Sequence, residues 1–141
     1  MLFTNALALL LFIPSAFPSG CTSRPTVQEA LKSSKNVFSG KVIARLKYGV
    51  RFRVEETWKG SPNRYIYLYT GNLRNDLDPW FEKGERWLVY ASEVPLYSSE
   101  NAKSPYAKRL MASRCSRTAP LMNAQDDVKQ LRQIARLDPI P

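Results

Sequence analysis

The sequence predicts a small, mainly β domain: a five-stranded Greek-key barrel with a short helix before it and a longer helix after it. Two observations point there. Apolar and polar residues alternate with period two in a series of short runs between residues 36 and 91, and Gly- or Pro-containing breaks bound those runs. Helical signals appear only near the two ends, where a Thr-x-x-Glu start and a 3.6-residue apolar stripe occur.

Residues 1–20 carry no charged side chain and contain the run Ala6-Leu7-Ala8-Leu9-Leu10-Leu11-Phe12-Ile13, ended by Pro14. A bilayer span needs about 20 apolar residues, so this run is too short to cross and has the form of a secretory signal core. Ser15, Ala16, Ser19 and Gly20 supply the small residues that processing favours. The expected organisation is a signal peptide over 1–20 and one domain over 21–141, long enough for a single core.

Within that domain, Thr26 and Glu29 have capping-box spacing and predict a short helix through Lys32. From Asn36 a first strand places Phe38, Val42, Ala44 and Leu46 on one face and Val37, Ser39, Lys41, Ile43 and Arg45 on the other, with a bulge expected at Gly40. After a turn at Tyr48-Gly49, a second strand alternates Val50, Phe52, Val54, Glu56 and Trp58 with Arg51, Arg53, Glu55 and Thr57. Residues 59–63 break it. A third strand over 64–70 puts Tyr65, Tyr67 and Tyr69 on one face, and a polar loop over 71–79 follows. A turn at Glu82-Lys83-Gly84 leads into a fourth strand over 85–91, a long loop over 92–105, and a fifth strand over 108–115. Asn123 is expected to cap a final helix whose Val128, Leu131 and Ala135 share a face, with Asp126 and Asp127 at its positive end and Lys129, Arg132 and Arg136 further along. Five strands with one small and one larger helix fit the OB-fold.

The formal charge of +9 lies wholly outside the leader and suits an acidic partner, an anionic envelope or nucleic acid; export argues against nucleic acid. The tyrosines beside Arg51 and Arg53 resemble a single-strand-binding surface, but aromatics that serve the core and cross-strand pairs of a small barrel are the reading preferred here. Two cysteines, Cys21 and Cys115, most simply form one disulfide in an exported chain. The competing reading is a lipoprotein in which Cys21 is acylated after cleavage and the protein is membrane-anchored through it.

Catalysis is not expected. The chain has no His, which removes the usual general base, Ser-His and Cys-His nucleophile pairs and the commonest zinc ligand. Two cysteines cannot complete a structural zinc site, no Gly-rich phosphate loop occurs, and no cofactor is implied. The acidic pairs Glu55-Glu56, Asp76-Asp78 and Asp126-Asp127 read as strand neighbours on opposite faces, a turn and a helix start.

Several segments taken in order carry a family resemblance: Cys21-Thr22 with Pro25, Val37-Phe38-Ser39-Gly40-Lys41-Val42, and Phe52-Arg53-Val54-Glu55-Glu56-Thr57-Trp58-Lys59-Gly60. Residues 81–91, FEKGERWLVYA, and 115–121, CSRTAPL, continue the series. With these the chain resembles a bacterial, single-domain member of the tissue inhibitor of metalloproteinases group within the netrin-like OB-fold superfamily, over nearly all of residues 21–137. The resemblance implies an inhibitor of a zinc metalloprotease: the α-amine and carbonyl of an N-terminal Cys21 would chelate the protease's zinc, and Thr22 would enter the adjacent specificity pocket. It departs at Ser23, where family members often have a second cysteine, and near Gly71-Asn72, which lacks the matching cysteine. The paired losses support a surviving Cys21–Cys115 bridge. The alternative function is a non-inhibitory extracellular or periplasmic interaction module, or a lipoprotein, on the same fold.

Overall fold

A computed structural model describes residues 21–70, 81–95, 108–113 and 115–138. The expected leader, the polar loop over 71–79 and residues 96–105 of the long loop lie outside the described residues. Helix α1 spans Val27–Ser33. The strands are β1 (Asn36–Leu46), β2 (Gly49–Lys59), β3 (Tyr65–Tyr69), β4 (Arg86–Pro95), β5 (Lys108–Ala112) and the two-residue β6 (Ala119–Pro120). A 3₁₀ turn at Leu121–Asn123 leads into helix α2, Gln125–Leu137.

The capping box forms as expected: Glu29 N–H donates to Thr26 Oγ1 at 3.2 Å, and Thr26 N–H donates to Glu29 Oε2 at 2.7 Å. The hydrogen bond from the Thr26 backbone holds the Glu29 carboxyl below its ordinary pKa. All strand pairs are antiparallel, in the order β3-β2-β1-β4-β5, with β6 against β4. This curled five-stranded sheet is an OB-like barrel with a short helix before it and a longer one after it. The register of β1 on β2 shifts three times, between Val37/Phe38, Ser39/Gly40 and Val42/Ala44. The middle shift is the bulge expected at Gly40, where a Cβ would meet Arg53 O at 2.7 Å, so the two backbones need glycine to approach.

These bulges divide the apolar residues between two cores. Inside the barrel, Phe38, Phe52, Phe81 and Trp87 form an edge-to-face series with centroids 5.5, 5.2 and 4.8 Å apart, packed with Val42, Leu68 and Val89. Each such pair contributes about 0.5–1.5 kcal/mol beyond its area burial. On the outside of β1, β2 and β4, the helices cover Val37, Trp58, Leu88 and Tyr90 with Val27, Ala30, Val128 and Leu131.

Strict alternation therefore misassigns several side chains. Val37 is fully buried under the helices rather than on a polar face. Trp58, expected on the face of Val50 and Phe52, belongs to the helix-side core, because the bulge between the Gly40↔Val54 and Phe38↔Thr57 pairs reverses the later residues of β2. Leu46 is half exposed at the end of β1. β4 runs through residues 92–95, expected as loop, because β5 pairs along Ala91–Pro95, and β5 stops at Ala112, leaving Cys115 in a turn. Asn123 does not cap α2: the cap residue is Ala124, with no side-chain hydrogen bond. Ala135 is exposed, and Ile134 packs on the helix-side core instead.

Candidate functional site

Cys21 and Cys115 form a disulfide with Cα atoms 5.4 Å apart across 94 positions of sequence. A sulfur bonded in this way cannot also carry a thioether-linked lipid, so the bridge and the anchor exclude each other, and the bridge is present. Disulfides of this kind persist in oxidising, non-cytoplasmic compartments. No helix among the described residues is long and apolar enough to cross a membrane.

The turn that carries Cys115 is fixed by its own polar groups. Cys115 N–H donates to Ser113 Oγ at 3.0 Å, and Ser116 Oγ donates to Thr118 Oγ1 at 2.9 Å. Thr118 is buried; its hydroxyl accepts from Tyr90 N–H at 2.9 Å and donates to Tyr90 O at 3.3 Å. Both backbone groups of one β4 residue are thereby satisfied by a side chain, which registers the turn on the sheet.

Arg117 makes the second link. Its Nε and Nη2 donate to Asp127 Oδ2 and Oδ1, both at 2.6 Å, and its Nη1 donates to Pro25 O at 2.8 Å. Such bidentate, charge-assisted pairs are among the strongest hydrogen bonds in proteins. The hydrogen bond to Asp127 raises the Arg117 guanidinium above its ordinary value. Tyr90 Oη donates to Asp127 Oδ2 at 3.4 Å. Burial, reinforced by the Asp127 charge, pushes the Tyr90 phenol well above its ordinary pKa of 10.0.

The segment from Cys21 to Pro25 is thus held at both ends, by the disulfide and by Arg117, while Thr22, Ser23 and Arg24 between the tethers are exposed. Cys21 itself is half buried. Of the predicted site residues, Cys21, Thr22 and Cys115 meet here, and the geometry leaves the polypeptide of residues 22–24 open to a partner. Among the described residues no group of three or more His, Cys, Asp or Glu could hold a metal ion.

Sequence reasoning missed Arg117, Asp127 and Tyr90 as the support of this segment. A signal was present: Asp127 lies at i, i+4 and i+7 with Leu131 and Ile134, on the buried stripe of α2 rather than merely at its start. A carboxylate on an apolar stripe needs a cationic partner. The other acidic pair is divided as expected: Glu55 takes Arg86 of β4 at 2.8 Å, and Glu56 takes Arg132 of α2 at 2.9 Å. Asp76 and Asp78 lie outside the described residues.

No protein-family model and no curated protein matches the sequence.

Proposed function

We propose that the protein is exported, loses residues 1–20, and inhibits a zinc metalloprotease through the newly exposed Cys21. A catalytic zinc keeps one coordination position for water. A neutral α-amine with its own carbonyl oxygen can occupy that position and displace the water on which hydrolysis depends. An α-amino pKa of about 7.7–8.0 makes the neutral form accessible near neutral pH. Thr22, the next residue, enters the adjoining specificity pocket of the protease.

The observation that supports this reading is the double tether of residues 21–25: the disulfide at Cys21 and the Arg117 hydrogen bond at Pro25 O, with an exposed stretch between them. A chelating amine gains affinity when its backbone is already immobilised, because less conformational entropy is lost on binding. The Cys21–Cys115 disulfide serves this purpose here.

The test begins with the intact mass and N-terminal sequence of the exported protein, which should start at Cys21. Inhibition of a panel of zinc metalloproteases is then compared for that protein and for one with a single extra N-terminal residue. The extension should abolish inhibition while leaving the folded structure unchanged. Equal potency of the two forms refutes chelation.

A further inference from the structure

A second surface shares no residue with the Cys21 segment, and what it implies does not depend on protease inhibition. The helices cover one stretch of the outer side of the sheet, at Val37, Trp58, Leu88 and Tyr90. Further along the same strands, Val50, Phe52 and Trp87 point into the barrel core, so Arg51, Arg53 and Arg86 beside them point outward and are exposed. The register then sets two rows across this outer side. One runs Arg86, Lys41, Arg53 and Tyr65 over β4, β1, β2 and β3, and the next runs Ala44, Arg51 and Tyr67 over β1, β2 and β3. Leu46 follows Ala44 on the same side of β1.

The first row sets like charges against each other. Lys41 stands opposite Arg53 on one side and Arg86 on the other, and like charges directly opposite destabilise a sheet. Arg86 is neutralised by Glu55 at 2.8 Å. Lys41, Arg51, Arg53 and Arg64 form no salt bridge among the described residues. The second row carries guanidiniums already held in place: Arg51 stacks on the Tyr65 ring at 4.3 Å, and Arg64 reaches the same ring at 5.5 Å. A stacked guanidinium keeps its N–H edge directed away from the ring, in the fork geometry that suits a phosphate. Cations gathered without carboxylates cost the folded domain stability, and a bound anion removes that cost.

The apolar residues of the face select among anions. Leu46 and Tyr67 are 50% and 46% exposed beside these cations. An aliphatic side chain gains nothing from a polyanion in water, but it sheds water on entering the boundary between lipid headgroups and acyl chains. Tyrosine suits the same boundary, with its ring inward and its hydroxyl among the headgroups. Nucleic acid bases need open aromatic faces to stack on, and Tyr65 is occupied by the protein's own arginines.

We propose that this face docks the protein reversibly on a bilayer that contains anionic phospholipid. Lys41, Arg51, Arg53 and Arg64 take the lipid phosphates, and Leu46 and Tyr67 enter the interface. Each Lys or Arg near an anionic bilayer strengthens attachment roughly fivefold. The contact differs in kind from the acyl anchor on Cys21 that the disulfide excludes, because it needs no covalent lipid and weakens with salt.

The experiment uses the mature, disulfide-bonded protein with vesicles of phosphatidylcholine alone and of phosphatidylcholine mixed with phosphatidylglycerol. Co-sedimentation gives affinity, and a spin label on the acyl chains locates the contact by broadening nearby amide NMR signals. The protein should bind the mixed vesicles, release them as salt rises, and ignore the neutral ones. Lys41→Gln combined with Arg53→Gln should weaken binding roughly 25-fold, fivefold for each cation. The same variant should keep or raise the urea midpoint, since the like charges of the row are relieved. Leu46→Asn combined with Tyr67→Asn keeps every cation and should weaken binding roughly tenfold through lost apolar burial. The amides of Leu46 and Tyr67 should broaden most. Equal binding to neutral vesicles, unchanged binding of either paired variant, or broadening centred on residues 22–24 or on α2 overturns the proposal. A lower urea midpoint for the Lys41→Gln, Arg53→Gln variant assigns the row to folding and overturns it as well. Tighter binding of an oligothymidylate or a polyglutamate peptide than of mixed vesicles, at equal anionic charge, overturns the choice of lipid.

Discussion

Replacing Arg117 with Ala removes a side chain that joins the N-terminal segment at Pro25 to α2 at Asp127. The Arg117 and Asp127 side chains are only 15% and 6% exposed, so Asp127 would be left with a single 3.4 Å hydrogen bond from Tyr90 Oη, and Pro25 O with none from Arg117. Breaking a buried pair by removing one partner costs about 3–5 kcal/mol. Because Arg117 retains some contact with water, the lower end applies, and at about 4 °C per kcal/mol for a domain of this size Tm should fall by roughly 12 °C. Urea unfolding with the disulfide intact should show a lower midpoint and an unchanged slope. The paired replacement Arg117→Met with Asp127→Leu should recover most of the loss, since apolar groups of similar volume need no partner. A single-variant loss under about 1 kcal/mol, or a double variant no more stable than Arg117→Ala, would refute the assignment of this pair as a buried, mutually dependent link.

Cys21→Ser, Cys115→Ser and the double variant should each lose the same stability, about 4–5 kcal/mol in the loop-entropy model for a 94-residue separation, as measured by urea unfolding. Tyr90 should stay protonated well above the ordinary tyrosine value of 10.0, because burial and the Asp127 charge oppose its ionisation. The folded state then holds a proton that the unfolded state releases, so stability is fully present below pH 10.0 and declines above it; Tyr90→Phe should remove that decline in alkaline unfolding curves. A one-residue N-terminal extension should abolish metalloprotease inhibition without changing the near-ultraviolet circular dichroism of the domain.

The barrel was legible in the sequence because its signals are local. The capping box at Thr26 and Glu29, the bulge at Gly40, the alternation through Val50, Phe52 and Val54, and the turn at Gly84, with φ of 92°, depend on neighbours a few residues away. Alternation failed where a bulge reverses the faces, as at Trp58, and where helices cover the second side of the sheet, as at Val37. The tyrosines of β3 went the other way: Tyr65 and Tyr67 are 40% and 46% exposed, outside the core, because Ile66 and Leu68 take the inward positions. Long-range polar partners were invisible for a different reason. Arg117 meets Pro25 across 92 positions and Tyr90 meets Asp127 across 37, and no pattern within one element specifies such a pair.

Both tethers of residues 22–24, at Cys21 and at Pro25, come from the turn from Cys115 to Thr118. Cys115 binds Cys21, Arg117 binds Pro25 and Asp127, and Thr118 binds both backbone groups of Tyr90. The disulfide and the Arg117–Pro25 bond therefore restrain the same short stretch of chain, and neither should act independently of the other. Without the disulfide the segment is free to leave Arg117, so the Pro25 hydrogen bond contributes less, whereas the Arg117–Asp127 pair within the core is retained. A double-mutant cycle of Arg117→Ala against Cys21→Ser should consequently show a combined loss smaller than the sum, by about 0.5–1.5 kcal/mol, the value of one hydrogen bond. Amide exchange at Thr22, Ser23 and Arg24 should quicken in either single variant and quicken little further in the double. Strict additivity in stability, together with exchange rates that respond to only one of the two changes, would mean that the segment is positioned by a single tether.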